Sequence, residues 1–226
     1  MKHGKKYLES VKKYDKAVVV DFPKAAETIK QLGFAKFDET VDLSVKVNLK
    51  KSQSVRDTVV LPHQFRGEKK ILVFCKSEKE KEAQEAGATF VGSDDLIEKV
   101  KGGWTEFDIA VATPDMMKDV GKLGMVLGRK GLMPNPKTGT VTFDLKSAIA
   151  ELRKGRVEFR ADKTGVIHIP VGKLSMDASK ISENAHAVMT EIKRKKPADA
   201  KGDFIQSVSL SSTMGPGVWV SVKDEE

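Results

Sequence analysis

One stretch of this sequence alternates strictly between polar and apolar residues: Thr40-Val41-Asp42-Leu43-Ser44-Val45-Lys46-Val47-Asn48-Leu49. Successive side chains of a β-strand point to opposite faces, so this pattern predicts a strand with one buried face and one wet face. The same alternation returns at residues 157–162 and 166–171, which we expect to pair as a hairpin, and again at residues 204–210. Both ends of the chain therefore contain strands in which polar and apolar residues alternate.

The middle of the chain has a different pattern. Residues 70–74 and 108–112 are continuous apolar runs, and the sequence between them has helical spacing. Apolar strands that alternate with helices are typical of a parallel sheet covered on both faces, so we predict a doubly wound α/β domain from about residue 67 to about 158. Amphipathic helical spacing also marks residues 21–33 and 177–195, on either side of this domain.

The resemblance in style between the two ends indicates an insertion. Residues 1–66 and 159–226 are expected to build one discontinuous domain, and residues 67–158 interrupt it as a second domain. Insertion is tolerated where chain ends lie close together at a surface.

Charge is distributed unevenly along the chain. The 226 residues have a formal net charge of +8, and the first 66 hold 14 lysine and arginine residues against 8 aspartate and glutamate residues. Such an excess favours an anionic partner such as nucleic acid, although a protein that is merely soluble fits the charge equally well. No apolar run approaches the ~18 residues that a membrane-spanning helix needs, so no membrane partner is expected. The single cysteine, Cys75, lies in an apolar run and is expected to be a buried core residue.

Sequence motifs of enzymes and metal sites do not occur. There is no glycine-rich dinucleotide motif after a strand, no phosphate-binding P-loop, and no pair of histidines or cysteines with metal-ligand spacing. The acidic pairs Asp38-Glu39 and Asp94-Asp95 are expected to cap a turn and a helix start. We therefore predict no catalytic site, no metal and no cofactor. An enzyme that binds a nucleotide or phosphate substrate in the α/β domain is the alternative, because fold alone does not exclude it.

Three segments have compositions that suit nucleic acid. Gly128-Arg129-Lys130-Gly131 is similar to a loop that clamps a nucleic-acid backbone, and a loop that only caps the sheet is the alternative. Residues 210–217 place three hydroxyls before Met-Gly-Pro-Gly, where an ordinary hairpin loop is the alternative. Residues 34–40 place two aromatics and a lysine before the alternating strand. We expect one phenylalanine to pack inward and Phe37 to be the more exposed, free to stack on a base or ribose.

Five motifs, in order over nearly the whole chain, resemble the bacterial large-subunit ribosomal protein L-one family, the proteins of the mobile stalk beside the tRNA exit site. They are Ala35-Lys36-Phe37-Asp38-Glu39-Thr40-Val41, Val59-Val60-Leu61-Pro62-His63, Asp108-Ile109-Ala110-Val111-Ala112-Thr113-Pro114-Asp115-Met116-Met117, Gly131-Leu132-Met133-Pro134-Asn135-Pro136-Lys137-Thr138-Gly139-Thr140-Val141 and Ser211-Ser212-Thr213-Met214-Gly215-Pro216-Gly217.

The resemblance implies a fold and a function. The fold would be a discontinuous α+β sandwich domain with an inserted Rossmann-like three-layer α/β domain. The function would be structural: binding of large-subunit ribosomal RNA, help in releasing deacylated tRNA from the exit site, and repression of the protein's own operon mRNA. The protein would be a monomer away from the ribosome, and cytoplasmic on the ribosome. A regulator of messenger RNA that never joins a ribosome is a second alternative.

Carried over motif by motif, the resemblance also implies an RNA-binding surface with residues from both ends of the chain. Arg129 and Lys130 would add a secondary RNA contact from the inserted domain. The main surface would consist of Glu27, Lys36, Phe37, Thr40, Lys46, Ser211, Thr213, Met214, Gly215 and Gly217.

Overall fold

A computed structural model gives the structure of residues 4–15, 17–49, 55–65, 67, 69–197 and 202–222. The α-helices are α1 (Lys5–Lys12), α2 (Phe22–Leu32), α3 (Ser77–Glu85), α4 (Asp94–Lys101), α5 (Met117–Val120), α6 (Gly124–Arg129), α7 (Leu145–Arg153) and α8 (Ala178–Arg194). The strands are β1 (Val19–Val20), β2 (Thr40–Val47), β3 (Arg56–Val60), β4 (Ile71–Phe74), β5 (Phe90–Gly92), β6 (Ile109–Ala112), β7 (Arg156–Arg160), β8 (Val166–Lys173), β9 (Ile205–Ser212) and β10 (Gly217–Val220).

The chain separates into two units. Met1–Phe65 and Val157–Glu226 form the first, here called the split unit, and Arg66–Arg156 forms the second, the inserted unit. The split unit contains a five-stranded sheet in the order β1-β10-β9-β2-β8. Strand β2 pairs antiparallel with β9 on one side and with β8 on the other. An early strand therefore lies between two strands from the end of the chain.

One face of this sheet forms the core of the split unit. The inward side chains of β2, among them Leu43 and Val45, are fully buried, in agreement with the alternation in the sequence. They share a hydrophobic cluster with Ile29 of α2 and Val188 of α8, so both helices cover this face. Helix α2 fits this position because its apolar residues recur at helical spacing and Pro23 suits its first turn.

The opposite face of the sheet, here called the open face, has polar side chains. Asp42 and Ser44 of β2 and Ser207, Ser209 and Ser211 of β9 are all partly exposed on it. These residues alternate with buried ones along each strand, as period-two geometry requires. The sheet is therefore wet on one side, as the sequence predicts.

The expected hairpin between residues 157–162 and 166–171 forms only at its turn, where the N–H of Asp162 donates to the carbonyl oxygen of Val166 at 2.9 Å. Strand β8 forms its ladder with β2, whereas β7 belongs to a separate two-stranded sheet with β3. Between the two segments the described residues contain one isolated bridge, Ala161 with Ile167. Both strands bury their apolar side chains in the same cluster. Alternation predicts which side chains turn inward, but it does not predict which strand edges pair.

The inserted unit is built on a three-stranded parallel sheet in the order β5-β4-β6. Its central strand β4 is buried at every position. Leu72 and Phe74 pack in one hydrophobic cluster with residues of α4 and α6, while Ile71 and Val73 pack in another with residues of α3 and α7. Helices thus cover both faces, and the predicted fold class, which combines a three-layer α/β part and an α+β part, is confirmed.

Cys75 follows directly after β4 and is buried, as predicted. Burial raises the pKa of its thiol to about 11, with a further contribution from the nearby carboxylate of Glu80. The thiol is therefore protonated at neutral pH and acts as a core residue.

Candidate nucleic-acid interface

Two loops of the split unit meet at one end of the five-stranded sheet. The first, residues 33–39, leads from α2 into β2; the second, residues 213–216, joins β9 to β10. They meet because β2 and β9 pair antiparallel with Val41 opposite Ser212, which places the start of one strand beside the end of the other. These two loops are here called the loop pair.

A buried carboxylate fastens the loop pair together. Glu39 is only 1% exposed. Its Oε1 accepts hydrogen bonds from the backbone N–H groups of Phe34, at 3.3 Å, and Ala35, at 3.0 Å. Its Oε2 accepts one from the N–H of Met214 at 2.9 Å. One side chain therefore satisfies backbone donors of both loops, which lie far apart in the sequence.

The hydrogen bonds to Glu39 also determine its charge. Burial acts to raise the pKa of this carboxyl, but donors from Met214, Ser212, Ala35 and Phe34 outweigh burial and hold the pKa below its ordinary value of 4.5. The side chain is therefore ionised at neutral pH, and its bonds to the loops are charge-assisted and strong.

Two threonines add a reciprocal contact beside Glu39. The N–H of Thr40 donates to Oγ1 of Thr213 at 3.0 Å, and that hydroxyl donates to the carbonyl oxygen of Thr40 at 3.2 Å. The hydroxyl of Thr213 thus holds its loop in place against β2. This role differs from the direct RNA contact expected from the sequence resemblance.

The tight conformation of the second loop requires a glycine. Ser212 is buried, and its Oγ accepts a hydrogen bond from the N–H of Gly215 at 3.2 Å. A Cβ at position 215 would lie 2.4 Å from that oxygen. Any side chain at Gly215 would therefore displace a hydroxyl that also bonds to Glu39.

The fastened loops present two apolar side chains to solvent. Phe37 is 56% exposed and Met214 is 53% exposed, which agrees with the expectation that Phe37 is the outer of the two phenylalanines. Lys36 is exposed next to Phe37. Chemically, an aromatic ring can stack on a base, a thioether can make apolar contact and an ammonium can attract phosphate.

Asp38 fastens the first loop on its other side. Its carboxylate accepts from the N–H of Ser175 at 3.1 Å and from the hydroxyl of Ser175 at 2.9 Å. Lys173 donates to the carbonyl oxygen of Asp38 at 3.2 Å. The prediction that Asp38-Glu39 caps a turn is therefore incomplete: Glu39 does accept from backbone N–H groups of its own loop, but each carboxylate also joins this loop to a distant segment.

The structure brings together most of the residues expected at the main surface. Ser211 and Gly217 lie directly opposite each other where β9 and β10 leave the second loop. Lys46 lies six residues from Thr40 at the far end of β2, a span of about 20 Å at the rise of a strand, and its ammonium donates to the carbonyl of Thr164. Lys46 therefore lies apart from the loop pair. Glu27 is exposed in the middle of α2.

In the inserted unit, Arg129 ends α6 and Lys130 follows it, and both side chains are exposed. Lys130 donates to the hydroxyl of Thr105. The backbone at Gly131 is left-handed, with φ +71°, a conformation that favours glycine. The turn after α6 thus presents two cations beside a glycine.

A family model described as the ribosomal protein L1p/L10e family matches residues 26–216 of this chain. The chain belongs to this family. It is 69% identical over 223 residues to large ribosomal subunit protein uL1 of Treponema denticola, covering 99% of both chains. It is 58% identical over 226 residues to the protein of the same name from Treponema pallidum, covering 100% of both. A relative from Borrelia hermsii is 58% identical over 217 residues, which cover 96% of this chain and 97% of that protein.

Membership in this ribosomal family bears out two predictions from the sequence. The relatives are structural proteins of the large ribosomal subunit, so the recognition of the family and the prediction of a non-enzymatic protein are confirmed. Among the residues that the structure describes, no three His, Cys, Asp or Glu side chains converge as a metal site. No helix in the same ranges is both long and apolar enough to cross a membrane.

Glu39 is the residue of the loop pair that sequence reasoning missed, yet the alternation contains a signal for it. Odd-numbered residues of β2 turn inward, and Glu39 precedes Val41 with the same parity. A carboxylate at an inward position has to find several hydrogen-bond donors. Extending the strand pattern backward by one residue therefore predicts a buried, multiply bonded acid at this position.

Proposed function

We propose that this chain is a structural protein of the large ribosomal subunit that binds folded ribosomal RNA through the loop pair. The observation that carries the proposal is Glu39, whose buried carboxylate bonds to the backbone of both loops, and each of these loops exposes one apolar side chain, Phe37 or Met214. A rigid surface loses little conformational entropy on binding, which favours recognition of a defined RNA shape.

Each part of the loop pair has a role in the proposal. Phe37 stacks on an unpaired base or ribose, Met214 makes apolar contact, and Lys36 attracts phosphate. Ser211, Gly215 and Gly217 offer a hydroxyl and backbone groups to 2′-hydroxyls of the RNA. Thr40 and Thr213 hold the shape.

The proposal extends to residues outside the loop pair. Residues 1–66 and 159–226 form the RNA-binding domain, and the basic excess of the first 66 residues lies in it. Glu27 and Lys46 lie at the margin of the bound RNA. Arg129 and Lys130 of the inserted domain, residues 67–158, add a secondary contact through phosphates.

We further propose that the protein takes part in the movement of tRNA and in its own regulation. At the mobile stalk it assists release of deacylated tRNA from the exit site. A surface that reads RNA shape also binds a similar fold in the mRNA of its own operon and represses translation. The protein acts as a monomer in the cytoplasm when it is off the ribosome.

Binding to fragments that tile the large-subunit ribosomal RNA, measured across a salt series, tests the proposal. The wild type is expected to bind one fragment tightly, and a Phe37→Ala, Met214→Ala double variant to lose more than ~2 kcal/mol, since stacking one base is worth ~1–3 kcal/mol. Leu8→Ala, which removes an exposed apolar side chain from α1, is the matched control and is expected to bind normally. A Thr213→Val, Met214→Ala double variant tests the second loop alone.

Equal, weak and steeply salt-dependent binding of every fragment by wild type and variants would mean generic electrostatics and would refute the proposal. Regulation has a separate test. A reporter behind the operon leader is expected to be repressed by wild type and not by the Phe37→Ala, Met214→Ala variant. Repression that persists in this variant would separate regulation from the loop pair.

A further inference from the structure

A tryptophan stands on the open face of the sheet at a position where the strand pattern calls for a polar residue. Trp219 of β10 is 44% exposed, while its neighbours Val218 and Val220 turn inward and are buried. Beside it on β1, Val19 is 58% exposed and is its direct partner in the ladder. Exposing a large aromatic ring forgoes a substantial hydrophobic stabilisation, so its position on a solvent face indicates a contact outside the chain.

The strand register places Trp219 at one end of a row of cross-strand neighbours, two of which are serines. Ser209 lies opposite Trp219, and Ser44 lies opposite Ser209. The row ends at His168, whose Nδ1 shares a hydrogen bond of 3.0 Å with the hydroxyl of Ser44. The central positions of the row carry only small side chains, so a planar group can lie flat against the ring without displacing bulky neighbours.

This row continues directly from the loop pair. Gly217, at the mouth of the second loop, lies two residues before Trp219, a distance of about 7 Å along the strand. Gly217 pairs with Ser211, and Ser211 lies opposite Asp42. An RNA strand held at Met214 therefore reaches the ring of Trp219 within one or two nucleotides.

We propose that Trp219 stacks on an unpaired base of the RNA held at the loop pair, with Ser209 and Ser211 bonding to its ribose. The inference rests on the proposed function, and it adds a second stacking residue on a different element from Phe37. Aromatic side chains on an open sheet with hydroxyls around them suit single-stranded RNA, because every base has a face to stack and the 2′-hydroxyl has partners.

The chemistry of the face favours RNA over a protein partner. The largely exposed apolar side chains in this part of the face are Trp219 and Val19; Ser209 lies opposite Trp219, and Ser211 lies two residues further along β9. Lys46 lies on the same face and the whole chain has a net charge of +8, which attracts phosphates; Asp42 is an acid within it. Protein interfaces of ordinary size need a broader apolar centre than two side chains supply.

Fluorescence gives a direct test without altering Trp219. The chain has two tryptophans, and the other, Trp104, packs in the inserted unit with its ring centroid 4.9 Å from that of Phe90. In a Trp104→Phe variant all tryptophan emission comes from Trp219. Titration with the tightly bound ribosomal RNA fragment is expected to quench this emission and to protect it from iodide, both saturating together with binding. Binding without any change in emission would overturn the inference.

Affinity measurements supply the second arm. Trp219→Ala is expected to weaken binding of that fragment about tenfold or more, the range of one base–aromatic stack, while Trp219→Phe restores most of it. Phe143→Ala, which removes an exposed aromatic of the inserted unit, is the matched control and is expected to bind like wild type. Equal affinity of Trp219→Ala and wild type for the fragment would refute the inference. Quenching of Trp219 that depends on protein concentration in the absence of RNA would also refute it, because it would show that the ring contacts a second copy of the chain.

The two proposals fail in distinguishable ways. If the wild type binds no fragment selectively, the proposed function itself is wrong. If the wild type binds and the Phe37→Ala, Met214→Ala variant loses affinity while Trp219→Ala does not, only the role of Trp219 is wrong.

Discussion

Replacing Glu39 with glutamine isolates the carboxylate that fastens the loop pair. The amide oxygen of Glu39→Gln can still accept from Phe34 and Ala35, but its NH2 group then faces the N–H of Met214, two donors with no acceptor between them. A hydrogen bond to a charged group contributes about 1.5–3 kcal/mol, so we expect the split unit to lose about 2–3 kcal/mol at pH 7. Affinity for the ribosomal RNA fragment is expected to fall as well, because the second loop is no longer held.

Urea unfolding in the Trp104→Phe background measures this loss, since the emission of Trp219 then reports on the split unit alone. Because the pKa of Glu39 is lowered on folding, its contribution is complete above the ordinary value of 4.5 and disappears as the pH falls through the lowered folded value. The stability difference between wild type and Glu39→Gln should therefore shrink below about pH 4.5.

Glu27→Gln, on the exposed side of α2, is the control and is expected to change stability by less than ~0.5 kcal/mol. A Glu39→Gln protein as stable as wild type at pH 7 would show that the carboxylate does not hold the loops. A stability difference that stays constant from pH 7 to pH 3 would contradict the assignment of charge.

Three further outcomes are expected. Gly215→Ala places a methyl group 2.4 Å from the hydroxyl of Ser212 and should reduce both stability and RNA binding. The matched variant Gly217→Ala, whose new methyl group has its nearest neighbouring atom at 4.0 Å, should leave the fold intact by circular dichroism. Equal behaviour of the two variants would argue against the tight loop. Lys36→Ala should lower the salt dependence of RNA binding by about one unit of slope, while Met214→Ala weakens binding at an unchanged slope; the reverse pattern in a salt titration would exchange their roles. Cys75 should resist thiol reagents at pH 8 in the native protein and react fully in urea, because burial raises its pKa to about 11; rapid labelling of folded protein would contradict its burial.

The elements of this fold were predictable because each follows from a local pattern. The alternation at residues 40–49 predicts β2 and its buried face, and the continuous apolar run at residues 70–74 predicts the parallel strand β4. Pairing was less predictable. Strands β7 and β8 are near neighbours in sequence and both alternate, yet β8 pairs with β2, because the choice of edge depends on the packing of the whole cluster.

For the candidate site, too, the local features were predictable and the contacts between distant segments were not. Residue types that suit RNA could be recognised in two segments, and the exposure of Phe37 was expected. What the sequence did not predict is how the segments are joined, since the bonds of Glu39 and Thr213 span residues that only the sheet register brings together. The distance of Lys46 from the loop pair was also not predicted, because residue composition does not show how far along its strand a residue lies from the loop.

The order of strands in the five-stranded sheet has a consequence for the growing polypeptide. Strand β2 is synthesised early, but both strands that flank it, β8 and β9, emerge only in the last third of translation. The inserted unit can complete its parallel sheet once residue 112 has been made. The loop pair forms last, because the hydrogen bond between Glu39 and Met214 cannot form until about 170 intervening residues have been added. A chain released after residue 156 but before Met214 has been added thus contains the whole inserted unit but lacks the paired loops of the split unit.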